Sequence, residues 1–190
     1  MQLSKQSAAW SILIVAGVVA GVVKLSAKRR RSMAVAPSID LAKYAGTWYE
    51  IARLPNRFER KCDRDVTATY SLRPDGRIDV LNRCRRSDER ISSIRGTARP
   101  LDPAGPNTKL NVTFFWPFAG DYWILDIDPE YRWALIGEPA RRYLWILARE
   151  PRLAGDVIDR LLERAKSEGY DVTRVLRTPQ SALHSYASSR

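Results

Sequence analysis

The sequence contains few of the side chains that usually perform catalysis or bind metals. His184 is the only histidine, and it lies in a polar C-terminal stretch. A paired-histidine zinc site, a Ser–His arrangement and a Cys–His arrangement therefore cannot be assigned. Asp126 and Asp128 precede a predicted turn, where solvated, turn-forming roles are favoured over a catalytic carboxylate pair. These residue types predict a protein without catalytic residues, a metal or a cofactor.

Arginines beside aromatic residues are the other candidates for chemistry. The stretch GTWYEIARLPNRFER, residues 46–60, contains Arg53, Arg57 and Arg60. It could be a nucleic-acid patch, an active-site loop or a structural signature. The net charge of +11 favours anionic partners. Part of that charge is confined to residues 24–31, and the rest is interspersed with Asp and Glu, so we expect no nucleic-acid partner.

The N-terminus contains a long apolar run, AAWSILIVAGVVAGVVKLSA, at residues 8–27. At about 1.5 Å per residue it can cross a bilayer core. An uncleaved membrane anchor is the favoured interpretation, and a secretory signal is the alternative. The basic cluster after the run would keep the main domain in the cytoplasm, whereas the two cysteines favour an oxidising compartment. The sequence leaves the sidedness open.

The chain is expected to divide into four segments, of which one is long enough to bury a full core. These are an anchor or signal segment at 1–27, a basic linker at 28–43, a folded domain at 44–178 and a polar tail at 179–190.

Eight short runs with strand-like alternation fill the folded domain. In order they are TWYEIAR, DVTATYSL, RIDVLNRC, ISSIRGTAR, TKLNVTFF, DYWILDID, YRWALIGE and RYLWILARE. Their connections are short enough for hairpins, which favours an eight-stranded antiparallel up-and-down β-barrel over an open sandwich. A barrel of this size can hold one small ligand.

The hydrophobic period then changes to that of a helix. In GDVIDRLLERAKSEGYD, residues 155–171, apolar side chains recur on one face. We expect this face to pack on the outside of the barrel, although a partner-binding or membrane-surface helix is an alternative. A short final strand, TRVLRT at 173–178, is expected at the barrel edge. The predicted fold class is all-β, an up-and-down barrel with one C-terminal α-helix packed outside.

Eight strands, a helix and a short strand follow the order of the lipocalins, and several motifs resemble that family. Gly46-Thr47-Trp48 is similar to the family's Gly-x-Trp motif, and Arg149 to the arginine that ends its eighth strand. The segment DPEYRWALIG, at 128–137, resembles the family motif between strands six and seven. The chain also resembles bacterial lipocalins of the outer-membrane lipoprotein type, in the segments VTATYSLRPDGRIDV, FFWPFAGDYWIL and YLWILARE. These bacterial proteins are related to apolipoprotein D and the plant temperature-induced lipocalins.

The resemblance implies roles for particular residues. Gly46 and Trp48 would close the barrel floor, with Arg149 stacked over the indole. From Arg149, the two-residue period of a strand places three further side chains inward, and alternation does the same on the second strand. We expect these to line a ligand cavity, although core filling is the competing interpretation for each: Tyr143, Trp145, Leu147, Val66, Ala68, Tyr70 and Leu72. The inward face of the sixth strand stays open, with Tyr122, Ile124 and Asp126 as one choice and Trp123, Leu125 and Ile127 as the other.

In the lipocalin fold the loop after the first strand is a lid over the open end. Arg53 and Arg57 would there bind the anionic headgroup of a ligand, unless the loop is merely solvated. Cys62 and Cys84 would lie on the lid and on the third strand, and a disulfide between them would stabilise the fold by about 3 kcal/mol. Two free thiols are an alternative, as is a nucleophilic Cys62, for which no activating group can be assigned.

The resemblance implies a membrane-tethered protein that binds fatty acids or phospholipids, notably lysophospholipids, for membrane maintenance under stress. A barrel enzyme of the isomerase or de-epoxidase type is the alternative. The implied location is the bacterial cell envelope, on the periplasmic face. Two departures qualify this: the chain has no lipid-modified cysteine after its apolar run, and Ala119 stands where some relatives have an aromatic residue. The identity of the lipid and the formation of a homodimer stay open.

Overall fold

A computed structural model describes residues 32–181. Its strands are β1 (Gly46–Arg53), β2 (Arg64–Leu72), β3 (Ile78–Arg85), β4 (Ile91–Pro100), β5 (Lys109–Phe115), β6 (Phe118–Ile127), β7 (Trp133–Gly137), β8 (Leu144–Ala148) and β9 (Leu176–Arg177). Its helices are α1 (Leu41–Tyr44) and α2 (Gly155–Ser167), and Val172–Arg174 form a 3-10 turn.

Strands β1 to β8 form a closed antiparallel barrel. Each strand pairs with its neighbours in the chain, and β1 pairs with both β2 and β8. This pairing leaves no free edge between the first and the eighth strand. The structure therefore confirms the predicted eight-stranded up-and-down barrel and rejects the open sandwich.

Two hydrophobic cores follow from the alternation of side chains along the strands. The core inside the barrel includes Tyr44, Trp48, Tyr70, Val80, Leu110, Ile124, Ile136 and Leu147. The core between the barrel wall and α2 includes Ile51, Leu125, Leu135, Ile146, Ile158, Leu161 and Ala165. The barrel wall thus separates a packed outer layer from the inner space in which a ligand could lie.

Strand β6 directs residues from both of the candidate sets into the barrel. Ile124 belongs to the inner core, while Leu125 packs outward toward α2. A register shift opposite β7, between Ile124 and Asp126, then brings Ile127 against the inner core. A bulge of this kind breaks the two-residue period, which is why alternation alone could not choose.

Helix α2 packs on the barrel as expected, through Ile158, Leu161 and Ala165. The chain after it is fixed by Tyr170, whose hydroxyl accepts from the Glu138 N–H at 2.8 Å and donates to the Glu138 carbonyl at 2.9 Å. This contact requires a glycine at position 137, because a Cβ there would lie 2.1 Å from the Tyr170 oxygen.

Two expectations about strand residues are corrected. The final strand was expected over 173–178 but is only Leu176–Arg177, paired with β1, because the preceding residues form the 3-10 turn. Leu72 was expected to face the cavity, but it is exposed at the end of β2.

Residues before β1 also contribute to the cores. Met33 packs in the outer core, and Ala36 and Ile39 pack in the inner one. Within residues 32–181 the structure contains no helix of the length and apolarity needed to cross a membrane. The anchor predicted at 8–27 lies outside the described residues.

Candidate functional site

One end of the barrel is closed by Trp48 and Arg149. Trp48 is fully buried, and its indole N–H donates to the Tyr44 carbonyl at 2.8 Å. The Arg149 guanidinium lies 3.9 Å from the centroid of the indole ring, and burial lowers the pKa of this arginine. It also donates to the backbone carbonyls of Lys43, Tyr44, Ala45 and Thr47, at 2.7 to 3.2 Å. This is the stacking that the resemblance implied.

Gly46 is required by the same arrangement. Its φ of +96° is unfavourable for residues with a side chain. A Cβ at this position would also lie 3.2 Å from Arg149 Nη1. The glycine of the Gly-x-Trp motif therefore makes room for the arginine.

Above this floor the barrel encloses a cavity of about 930 Å³. Much of its wall is apolar, with contributions from Val66, Ala68, Val80, Ile94, Val112, Phe114 and Leu147. Aromatic and basic side chains line it as well, among them Tyr70, Tyr122, Tyr143, Trp145, Arg57 and Arg142. Of the residues predicted to line the cavity or to contact a ligand, Arg53 and Leu72 are absent from this wall.

Arg53 is held by other side chains. Its guanidinium donates to Glu50 Oε1 at 2.6 Å and to Thr178 Oγ1 at 3.0 Å, and it pairs with Glu59 Oε2 at 3.0 Å. A register shift between Glu50 and Ala52 on β1 places Arg53 opposite Trp145 on β8. The structure therefore does not bring Arg53 to a ligand headgroup, and the prediction for this residue is corrected.

Glu50 is a cavity-wall residue that the sequence analysis missed. It is buried on β1, and its carboxylate also bonds to the Thr178 hydroxyl. Burial and the nearby Glu59 carboxylate raise the pKa of Glu50 to about 7, although Arg53 and Thr178 act in the opposite direction. Its position two residues after Trp48 was a usable signal, because alternation places both side chains inward.

The loop between β1 and β2, residues 54–63, is attached to the barrel by side-chain hydrogen bonds and by a disulfide. Glu59 accepts from the Trp145 indole N–H at 3.2 Å and pairs with Arg53. Cys62 forms a disulfide with Cys84 on β3, with Cα atoms 5.5 Å apart. The disulfide leaves no thiol at Cys62, so the isomerase alternative lacks its nucleophile.

Polar groups also lie in the cavity. The sequence analysis placed Tyr70 there and left Tyr122 open, but it predicted neither their hydrogen-bonded cluster nor a role for Asn82. The hydroxyl of Tyr122 lies 2.7 Å from that of Tyr44 and 2.9 Å from that of Tyr70. Burial raises the pKa of all three tyrosines, that of Tyr70 to about 12. Asn82, on β3, also lines the cavity. Such partnerships between distant strands leave no local sequence signal.

The open end carries exposed aromatic side chains. At the turn between β5 and β6, Phe115 is 68%, Trp116 89% and Phe118 77% exposed. Phe58 on the β1–β2 loop is also exposed and packs against Tyr143, with ring centroids 5.4 Å apart. Three of these four line the mouth of the cavity: Phe58, Phe115 and Phe118.

Basic side chains lie at the same mouth and elsewhere on the β1–β2 loop. Arg57, Arg60, Lys61 and Arg142 are exposed, and within residues 32–181 none of the four forms an ion pair. Arg57 and Arg142 both line the cavity. The mouth therefore combines apolar surface with two arginines, Arg57 and Arg142, that form no ion pair in the described part of the chain.

Comparison with protein families gives a match over most of the domain. A family model described as a lipocalin-like domain matches residues 39–180. Temperature-induced lipocalin-1 of Arabidopsis thaliana is 43% identical over 159 residues, covering 80% of this chain and 85% of that protein. Outer membrane lipoprotein Blc of Escherichia coli K12 is 41% identical over 150 residues, covering 79% and 84%. The plant and bacterial identities are nearly equal, so they do not establish a bacterial origin.

A mammalian relative and solved structures agree with this match. Apolipoprotein D of Macaca fascicularis is 36% identical over 154 residues, covering 77% of this chain and 79% of that protein. The cockroach allergen Per a 4 has a TM-score of 0.62 at 18% identity, covering 78% of this chain and 92% of that one. Lobster apocrustacyanin A1 has a TM-score of 0.60 at 22% identity, covering 74% and 79%. At these identities the two structures support the fold alone.

Proposed function

Because the chain belongs to the lipocalin family, we propose that it is a membrane-tethered protein that stores or transports fatty acids or (lyso)phospholipids in its barrel. The observation that carries this proposal is the 930 Å³ cavity, closed at one end by Trp48 and Arg149 and largely apolar along its wall. Burying about ten methylene groups at roughly 0.8 kcal/mol each supplies enough free energy for binding without any covalent chemistry.

The headgroup would lie at the mouth of the cavity. Arg57 and Arg142 line the wall there, are exposed and form no ion pair in the described part of the chain. A guanidinium can bind a phosphate or carboxylate through two parallel hydrogen bonds. We therefore assign the headgroup role to Arg57 together with Arg142, in place of Arg53.

The proposal includes a membrane as the source and destination of the ligand. Trp116 and its aromatic neighbours are exposed at the mouth, and aromatic rings of this kind favour the interface of a bilayer. The unpaired basic residues beside them suit a surface of anionic lipids, to which each contributes about 1 kcal/mol. The name of the plant relative, a temperature-induced lipocalin, supports a role under stress, and that of the Escherichia coli relative, an outer membrane lipoprotein, supports a location at a membrane. We therefore propose membrane maintenance under stress, at a cell envelope, as the task of the protein.

A cavity-filling substitution tests the binding proposal. The assay is displacement of a fluorescent fatty acid by octadecanoic acid and by lysophosphatidylcholine. Ala68→Trp places a large side chain in the cavity and should weaken both ligands at least tenfold. Leu81→Trp introduces the same side chain on β3, at a residue outside the cavity wall, and should bind like the wild type. The proposal would be refuted if the wild-type protein bound no fluorescent fatty acid at micromolar concentration, or if neither ligand displaced the bound probe.

A further inference from the structure

Asn82 has hydrogen-bonding capacity that the protein does not use. Its side chain lines the cavity, and its Oδ1 is buried without a donor anywhere in residues 32–181. An amide oxygen that is buried without a partner costs free energy, and most such groups in folded proteins are paired. The oxygen itself is covered, but the side chain lines the cavity, and rotation about the soft χ2 torsion of the amide turns the oxygen toward a ligand.

The three tyrosines provide a second, independent observation. Tyr44, Tyr70 and Tyr122 bring three hydroxyl protons to two O···O contacts. One proton therefore has no acceptor within the cluster, whichever hydroxyl carries it. Two of the three, Tyr70 and Tyr122, line the cavity, so the cluster can donate one hydrogen bond into it.

The unused acceptor and the unused donor are close neighbours. Tyr70 on β2 is paired with Val80 on β3, so Asn82 is its diagonal neighbour on the inner face. Diagonal neighbours across two strands lie about 7–8 Å apart at their Cα atoms, within reach of a tyrosine. Tyr122 lies four positions along β6 from Phe118 at the mouth, about 13 Å along the strand, so the tyrosine cluster lies well inside the barrel.

We propose that Asn82 and the tyrosine cluster form a subsite for a hydroxyl group on the acyl chain of the ligand. A ligand hydroxyl can donate to Asn82 Oδ1 and accept from a hydroxyl of the tyrosine cluster, so it satisfies the unused acceptor and the unused donor together. A carbonyl lacks the proton that Oδ1 needs. A carboxylate would be buried away from the basic residues at the mouth, which is costly. The subsite deepens the proposed lipid-binding function and rests on it.

The subsite predicts a preference among otherwise similar fatty acids. An unsubstituted chain that fills the cavity leaves the amide oxygen without a donor and displaces any water that would serve it. A chain with a hydroxyl at the matching depth retains both bonds. From the cost of one unpaired buried group, we expect this hydroxy acid to bind about tenfold more tightly.

Calorimetric titration of the full-length protein with a positional series tests the inference. The ligands are octadecanoic acid and its 2-, 12- and 18-hydroxy derivatives. We expect 12-hydroxyoctadecanoic acid to bind about tenfold more tightly than the unsubstituted acid, and the 2-hydroxy derivative, whose hydroxyl stays at the mouth, to show no such gain. Equal affinities across the series would overturn the subsite while leaving the lipid-binding function intact. Failure of every fatty acid to bind would overturn both.

Two variants locate the preference. Asn82→Leu removes the acceptor. The double substitution Tyr70→Phe, Tyr122→Phe removes both hydroxyls that line the cavity with little change of shape, so either variant should bring the ratio of the two dissociation constants close to one. The matched controls Asn111→Leu and Tyr49→Phe alter residues outside the cavity wall and should keep the wild-type ratio. If Asn82→Leu fails to fold, the double tyrosine variant alone decides. A wild-type ratio in that double variant would contradict the subsite.

Discussion

Arg149 contributes to the closed end of the barrel through both its charge and its planar shape. Its guanidinium stacks on Trp48 and donates to four carbonyls of residues 43–47. Lysine retains the charge but cannot provide the flat, forked set of donors. We therefore expect Arg149→Lys to lower the free energy of unfolding by about 2 kcal/mol, measured in urea.

Arg152 is a suitable control because it is an exposed arginine three residues after Arg149. Arg152→Lys should leave the urea midpoint unchanged. An equal midpoint for Arg149→Lys and the wild type would show that the stacked arginine adds nothing to stability.

Glu50 should make stability depend on pH. Its pKa is about 7 in the folded protein, above the usual 4.5. Between these values the folded protein keeps a proton that the unfolded chain releases, so the free energy of unfolding falls as pH rises from about 4.5 to 7. Arg53 and Glu59 are the charged groups that face it. The loss across that window is about 3 kcal/mol.

Urea unfolding at a series of pH values in Glu50→Gln checks this dependence. The variant should lose most of the decline between pH 4.5 and 7, because its side chain does not titrate. Glu163→Gln changes an exposed glutamate on α2 and should keep the wild-type slope. An unchanged slope in Glu50→Gln would mean that Glu50 ionises normally.

At the scale of elements, the disulfide attaches the β1–β2 loop to β3 over a separation of 22 residues. A disulfide that closes a loop of this length restricts the unfolded chain and thereby raises the free energy of unfolding by about 3 kcal/mol. The double substitution Cys62→Ser, Cys84→Ser should therefore lower the Tm by roughly 10 °C. Amide exchange should accelerate in residues 54–63 more than in β7. A Tm equal to that of the oxidised wild type would contradict this role.

The strand order could be predicted from the sequence because each strand keeps its alternation and each turn is local. Trp48 and Arg149 could be placed because a family motif marks each of them. The surroundings of Arg53 could not be predicted, because the register shift between Glu50 and Ala52 changes which β8 residue lies opposite Arg53. Asn82 and the tyrosine cluster were missed because their relation depends on strand pairing and on α1, which supplies Tyr44.

At the scale of the whole molecule, the aromatic and basic mouth should govern the exchange of ligand with membranes. The rate of transfer of a fluorescent fatty acid from the full-length protein to vesicles should rise with their content of phosphatidylglycerol, since the unpaired cations favour anionic lipid. Trp116→Ala should slow this transfer several-fold. Leu101→Ala removes an exposed apolar side chain in the β4–β5 loop, away from the cavity wall, and should not. Equal rates for the two variants would exclude the mouth as the membrane contact.

The lipid-binding function is tested most directly by native mass spectrometry of the protein purified from its own host, followed by lipid extraction. We expect one amphiphile per barrel, released on denaturation and identified as a fatty acid or lysophospholipid. Ala68→Trp, purified in the same way, should carry none. Wild-type protein that is recovered empty, and that takes up no fatty acid when one is supplied, would contradict the function proposed for this cavity.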